Sequence, residues 1–223
     1  MLGVLINMGA IIAGASAGLI LKKGIPEHIS DMIMKGMGLC IIYVGISGML
    51  DNENAMVMVI SMAVGTLIGS ALKLQARLES FGISVEMKLN KDGFAKGFVN
   101  ASMVFVIGAM AIVGSLQAGL VGDNTTLITK AALDGITSII FAATMGYGVI
   151  FSCIPVGIWQ GGIVLLATVL APLIDDPYII AEINAVGSLL IFGLGLNMLG
   201  ITKLKVMDMM PAIFFPILLC QFM

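Results

Sequence analysis

Leu2-Gly-Val-Leu-Ile-Asn-Met-Gly-Ala-Ile-Ile-Ala-Gly-Ala-Ser-Ala-Gly-Leu-Ile-Leu21 is an uncharged run that stops at Lys22-Lys23. A helix of ~20 apolar residues matches the thickness of a bilayer. The start has no positive flank of the kind that precedes a cleaved signal, so this run is expected to stay as a span. Working outward, further apolar runs lie at about 29–50, 55–73, 97–120, 128–150, 154–174, 178–200 and 206–222. These runs are too long and continuous for barrel strands, and an open strand edge cannot be satisfied in lipid. The sequence therefore predicts an all-α polytopic membrane helix bundle of about eight transmembrane helices, forming a single transmembrane domain over 1–223.

Composition agrees. The 223 residues are 59% hydrophobic and 11% charged, with a mean hydropathy of +1.11. A soluble domain carries about 25% charge. Charge placement says more than the net charge of −2. Lys22, Lys23 and Lys35 flank the first loop, and Lys73, Arg77, Lys88, Lys91 and Lys96 lie in the third. Lys203 and Lys205 lie in the seventh, and Lys130 alone falls at an even-numbered loop. Asp51, Glu53, Asp123, Asp175 and Asp176 occupy the even loops. Positive-inside biasing makes the odd loops cytoplasmic and puts both termini outside the cytoplasm. The third loop, 74–96, mixes Leu78, Phe81, Ile83, Val85 and Leu89 with charges. It reads as an amphipathic cytoplasmic surface segment or as a solvated connector.

Gly38-Leu-Cys-Ile-Ile-Tyr-Val-Gly-Ile-Ser-Gly-Met-Leu50 aligns without gaps to Gly187-Ser-Leu-Leu-Ile-Phe-Gly-Leu-Gly-Leu-Asn-Met-Leu199, an offset of 149. The match pairs spans 1–3 with spans 6–8 in opposite orientations, an inverted repeat as in many secondary transporters. Ala10-xxx-Gly14-xxx-Gly18 and Ser61-xxx-Gly65-xxx-Gly69 make flat helix faces for close packing, within the chain or in a homodimer. Gly108, Gly114, Gly119, Gly146 and Gly148 are candidate breaks, and Pro211 and Pro216 should kink span 8 or delay its start.

Polar side chains at membrane depth are costly unless paired or wet, so they are the functional candidates. Asp134 leads. Asp134-Gly-Ile-Thr137-Ser138 offers a carboxylate and two hydroxyls within about a turn, suited to Na+ or to a carried proton. The competing reading is a salt bridge to Lys130, one turn earlier on the same face. Span 4 contributes Asn100, Ser102, Ser115 and Gln117; Asn7 and Asn197 lie in spans 1 and 7, Gln160 in span 6. Glu182 and Asp208 sit near span ends, where water reaches them.

Enzyme chemistry finds no complete constellation. Gly45-Ile-Ser47-Gly48 has the GxSG form of an intramembrane serine protease, but the sole histidine, His28, precedes it in the first loop. There is no HExxH and no P-loop. Met56, Met58 and Met62 read as thioethers that fill gaps between helices rather than as copper ligands, and Cys40, Cys153 and Cys220 stand apart. No cofactor is expected beyond a bound Na+ or other monovalent cation, and no nucleic-acid partner.

Lys35-Gly-Met-Gly-Leu-Cys-Ile-Ile-Tyr-Val-Gly-Ile-Ser47, Gly97-Phe-Val-Asn-Ala-Ser102, Gly108-Ala-Met-Ala-Ile-Val-Gly-Ser115, Leu133-Asp-Gly-Ile-Thr-Ser-Ile-Ile-Phe141 and Gly193-Leu-Gly-Leu-Asn-Met-Leu-Gly-Ile201 carry a resemblance. Nearly end to end, the chain resembles the YqgA-like (YdfK-like) family of bacterial integral membrane proteins. The resemblance implies the bacterial inner membrane and supplies no substrate. Family members commonly have threonine where this chain has Asn100, which leaves Ser102 ahead of it. The function expected is a transporter or channel for a small ion or solute, cation- or proton-coupled through spans 4 and 5. The alternative is a structural or signalling membrane protein that binds a partner.

Overall fold

The computed structural model describes residues 1–22, 26–89, 94–107, 109–174 and 176–222. Lys23, Lys91, Gly108 and Asp175, used in the readings above, lie outside them. The described residues form helices α1 (Leu2–Lys22), α2 (Glu27–Met49), α3 (Ala55–Leu72), α4 (Leu74–Leu89), α5 (Phe94–Val106) and α6 (Ala109–Leu120). There follow α7 (Thr125–Met145), α8 (Gly148–Phe151), α9 (Cys153–Ile174), α10 (Pro177–Met198), α11 (Val206–Met209), a 3-10 turn (Met210–Phe214) and α12 (Phe215–Leu219). The fold is an all-α polytopic bundle; among the described residues there is no strand.

The ends have local causes. Asn54 caps α3 by accepting the Met56 N–H, and Asp176 caps α10 by accepting the Tyr178 N–H ahead of Pro177 at the first turn. Lys73, with φ 53°, closes α3 on the carbonyls of Gly69 and Ser70. The third loop is mostly helix, α4, which leaves Ile83 and Met87 exposed. Span 5 was expected to reach residue 150, but α7 stops at Met145. Gly146 takes φ 91°, which only glycine adopts freely, and α8 begins at Gly148.

Among the described residues, six helices are long and apolar enough to cross a membrane alone. The α5–α6 pair, bent by 60°, would make a seventh. The expected eighth span is a shorter apolar segment, Val206–Leu219. Pro211 and Pro216 cannot donate backbone hydrogen bonds, and the segment tightens into a 3-10 turn between α11 and α12.

The chain forms two compact units. The first holds Met1–Met34, Leu78–Val106 and Met110–Leu170. In it α1 lies parallel to α7: Gly3 meets Leu127, Gly14 meets the Gly135 carbonyl, Gly18 meets the Ile139 carbonyl and Lys22 reaches Gly146. The α5–α6 pair runs antiparallel along the same helix. Gly97 sits by Met145 at one end of α7, and Gly114 by Thr126 at the other. The pair therefore follows α7 from end to end rather than turning back. α9 lies against α1, with Met8 over Gly157, and against α6, where Gly119 meets Val164 and Ala167.

The second unit holds Lys35–Arg77, Ile107–Ala109 and Ala171–Met223. The matched glycine segments of α2 and α10 pack on each other, antiparallel. Gly45 lies on Phe192, Gly48 on Ser188, and Gly195 on Ile42 and the Gly38 carbonyl. α3 runs antiparallel to the last segment through Gly65 on Ala212 and Gly69 on Asp208. Glu182, buried on α10, accepts the Asn52 side chain (2.7 Å) and the N–H groups of Glu53 and Asn54 (2.8 Å each). Rather than a wet interfacial acid, it is a latch for the turn between α2 and α3. Asp208 is likewise buried and accepts the Gln75 N–H (2.8 Å), while Gln75 accepts the Met207 N–H.

A methyl added at Gly14 would run into the backbone oxygen of Gly135, whereas one at Gly9 on the same helix meets nothing within 4 Å. Gly14→Ala should destabilise the folded protein by about 1–3 kcal/mol. Gly9→Ala should be neutral or up to about 1 kcal/mol more stable through helix propensity. Melting of the two variants in detergent checks this; equal melting points would remove the close α1–α7 approach.

Candidate functional site

α7 has 21 residues, about 31 Å of helix at 1.5 Å per residue, and Asp134 lies near its middle. Because α7 begins at Thr125, Asp134 is deeper than the sequence expectation put it. Its carboxylate receives the Lys130 ammonium on both oxygens, Oδ1 at 2.8 Å and Oδ2 at 2.6 Å. The sequence left an ion or proton site, a salt bridge to Lys130 and simple helix packing open for Asp134, and the salt bridge is present. Lysine on the N-terminal side is the less favourable order for such a pair in a helix. Local helix stability therefore does not select it.

Two more helices complete the cluster. Asn7 of α1 donates from Nδ2 to Asp134 Oδ2 at 3.0 Å and to Gln160 Oε1 of α9 at 3.2 Å. All four side chains are buried: Asn7 and Gln160 at 0% exposure, Lys130 and Asp134 at 6%. The cluster is not saturated. Among the described residues, Asn7 Oδ1 and Gln160 Nε2 have no hydrogen-bond partner, nor does the Oγ of Ser138, one turn beyond Asp134 on the same face. Buried polar atoms are rarely left unpaired, since each forfeits its hydration. An acceptor, a donor and a hydroxyl held open around a paired carboxylate make a place where a small polar species can be coordinated.

The α5–α6 pair, bent by 60° between its two helices, passes α7 with Gly97 by Met145 and Gln117 bonded to Thr126 (2.7 Å). Discontinuous helices are a recurrent plan in transporters.

The other expected site residues are distributed as follows. Thr137 is half-buried beside Ser138, and Ser115 on α6 is buried with its Oγ unpartnered. Ser102 donates to the Phe98 carbonyl of its own helix, and Asn100 points its amide at the Met145 sulfur (3.6 Å). Gln117 is held by Thr126. Asn197 belongs to the second unit. It closes the turn after α10, accepting from Leu204 N–H (2.8 Å) and Thr202 (2.7 Å) and donating to the Leu204 carbonyl. The structure thus joins Asn7 to Asp134, adds Lys130 and Gln160, and leaves Asn100, Ser102, Gln117 and Asn197 outside the cluster. Gln160 could have been ranked higher from sequence, as the sole amide of an uncharged span.

The family model described as a protein of unknown function (DUF554) matches residues 2–221. The chain belongs to this family. It is 36% identical over 220 residues to the uncharacterized membrane protein YdfK of Bacillus subtilis (strain 168), covering 97% of this chain and 94% of that one. It is 30% identical over 219 residues to the uncharacterized protein YqgA of Escherichia coli (strain K12), covering 95% and 93%. The family resemblance drawn from the sequence segments is therefore correct. No solved structure matches. Membrane residence follows from the helices of this chain and agrees with the name of the first relative.

Removing one partner of a buried ion pair strands the other. Lys130→Met and Asp134→Leu should each cost about 3–5 kcal/mol. The double variant should recover most of that loss. A double-mutant cycle in a micelle-compatible denaturant measures the coupling; additive losses would show that the two charges do not depend on each other.

Proposed function

We propose that this protein is a transporter or channel of the bacterial inner membrane for a small ion or solute, with the Asp134 cluster as its ion- or proton-binding site. The observation that carries the reading is the unsaturated buried cluster of Asn7, Lys130, Asp134 and Gln160. A carboxylate held near the middle of an apolar helix has a large cost to offset, and function is the usual reason for keeping one. The bend in the α5–α6 pair supports the reading. So does the repeat. A shift of 149 carries α2 from 27–49 to 176–198, where α10 spans Pro177–Met198, and carries α1 and α3 close to α9 and the 206–219 segment. On this reading the odd-numbered loops are cytoplasmic, both termini are outside, and the chain is not an enzyme. Its ligand is an alkali cation or a proton.

The bidentate Lys130 contact favours a second reading, in which the pair is a structural lock in a protein that binds a partner and moves nothing. The two readings separate in the melting of purified protein across Na+, K+, Li+ and pH. A ligand that binds only the folded state adds about 2.7 kcal/mol at a hundred times its Kd. At least one cation, or a pH step, should raise the melting point of the wild type, and Asp134→Asn or the Lys130→Met, Asp134→Leu double variant should lose the response. A wild type indifferent to all three cations and to pH would leave the lock.

A further inference from the structure

We infer that one end of the second unit is a docking surface for an anionic phospholipid headgroup, formed by Lys73, Arg77, Lys203 and Lys205. This is independent of the Asp134 cluster and rests on membrane residence alone. Two short stretches carry it: 72–77, where α3 ends and α4 begins, and 201–208, between α10 and the last segment. Hydrogen bonds fix both. Gln75 donates its N–H to Asp208 and accepts the Met207 N–H on its side chain, which ties the first stretch to the second. Asn197 holds Leu204 by its N–H and its carbonyl, and bonds Thr202. Lys73 and Arg77 flank the anchored Gln75, and Lys203 and Lys205 flank the anchored Leu204. All four side chains are exposed. Among the described residues, none of them meets a carboxylate.

Positive-inside biasing asks only that a loop hold cations. Here the backbone under them is pinned, and no acid competes for them. The only acid in either stretch is Asp208, which is buried and engaged by Gln75. Glu79 is the next acid along α4 after Arg77, and residues two apart on a helix do not face each other. Lys35 on α2, about one turn before the Gly38 that lies on Leu199, adds a further positive charge to this end. The opposite end of the same unit has the reverse sign: Asp51, Glu53 and Asp176 lie there, with no Lys or Arg in 50–54 or 176–184.

Depth selects a lipid over a soluble partner. α3 and α10 are both long and apolar enough to span. Lys73 directly follows α3, and Lys203 lies a few residues beyond Met198, the last of α10. The four cations therefore sit at the level of headgroup phosphates, where clustered Lys and Arg attract anionic lipid. Leu72, Ile201 and Leu204 are exposed next to them along the chain, apolar surface suited to the first carbons of an acyl chain. Four cations exceed what one phosphate neutralises, so a headgroup with two phosphates fits best.

The test is thermal melting of the purified full-length protein in neutral-detergent micelles doped with diphosphatidylglycerol, phosphatidylglycerol or phosphatidylcholine. A lipid that binds only the folded state raises the melting point by mass action. Both anionic lipids should do so at a mole fraction about tenfold or more below that needed of phosphatidylcholine, with diphosphatidylglycerol lowest. Salt at about 0.5 M should weaken the effect. Lys203→Gln with Lys205→Gln should raise the mole fraction needed by about tenfold or more. Lys73→Asn with Arg77→Gln should do the same; asparagine tolerates the φ of 53° at that position. Lys22→Gln with Lys96→Gln, a matched loss of two exposed charges in the first unit, should leave the response intact. An equal response to phosphatidylcholine overturns the surface. So does the matched pair losing as much as either patch pair, which would mean a diffuse field. Inorganic phosphate or glycerol phosphate reproducing the stabilisation overturns the lipid and leaves a free-anion site. No response to any of the three lipids overturns it too, and leaves the cations to an acidic protein partner.

Discussion

The close approach of α1 to α7 is the contact on which the buried cluster depends. Gly14 and Gly18 let the backbone of α1 settle on the carbonyls of Gly135 and Ile139, with no side chain between. Asn7 lies two turns before Gly14 on the same face, and Gly135 directly follows Asp134. Only at that separation does an asparagine, one of the shortest polar side chains, reach a carboxylate on the neighbouring helix at 3.0 Å. In lipid there is little hydrophobic drive between helices, so dispersion at such flat faces and a few hydrogen bonds must hold the pair. The same glycines that permit packing therefore set the geometry of the polar site.

The charges follow from that packing. An isolated lysine or aspartate at this depth would be intolerable, and each makes the other tolerable. Asn7 and Gln160 add amide groups that remain partly unused. A fully satisfied network would be a lock. This one is satisfied at the carboxylate and open around it, which is the arrangement expected where a ligand must enter and leave.

Much of this was legible in the sequence, for particular reasons. The apolar runs gave the helices, because lipid leaves the backbone no other solution. The spacing of Lys130 and Asp134 announced their pairing, because four residues bring two side chains to one face. Asn7 stood out as an amide in an apolar span. Its junction with Gln160 was not readable, since which faces of α1 and α9 meet is a tertiary fact. Ser102 and Gln117 were overvalued for a related reason: a serine in a helix can bond the carbonyl one turn back, as it does to Phe98, and a glutamine can reach a nearby threonine. Gly146 was one of five candidate breaks and could not be singled out, because glycines that pack and glycines that turn look alike in one sequence; its φ of 91° tells it apart. The eighth span shortened because two prolines five residues apart withhold two backbone donors.

The second unit shows what a glycine face does without such a cluster. Gly65 and Gly69 bring α3 onto Ala212 and Asp208 as closely as Gly14 and Gly18 bring α1 onto α7. Yet its two buried carboxylates are spent on backbone: Asp208 on the Gln75 N–H, Glu182 on the N–H groups of Glu53 and Asn54. Those bonds hold turns and helix starts. Ser61 is buried there with a hydroxyl that has no partner among the described residues. Small-residue packing alone therefore does not make a site. What sets the first unit apart is a carboxylate near the middle of a helix, too far from any helix end to be used as a cap, and so in need of a counter-charge.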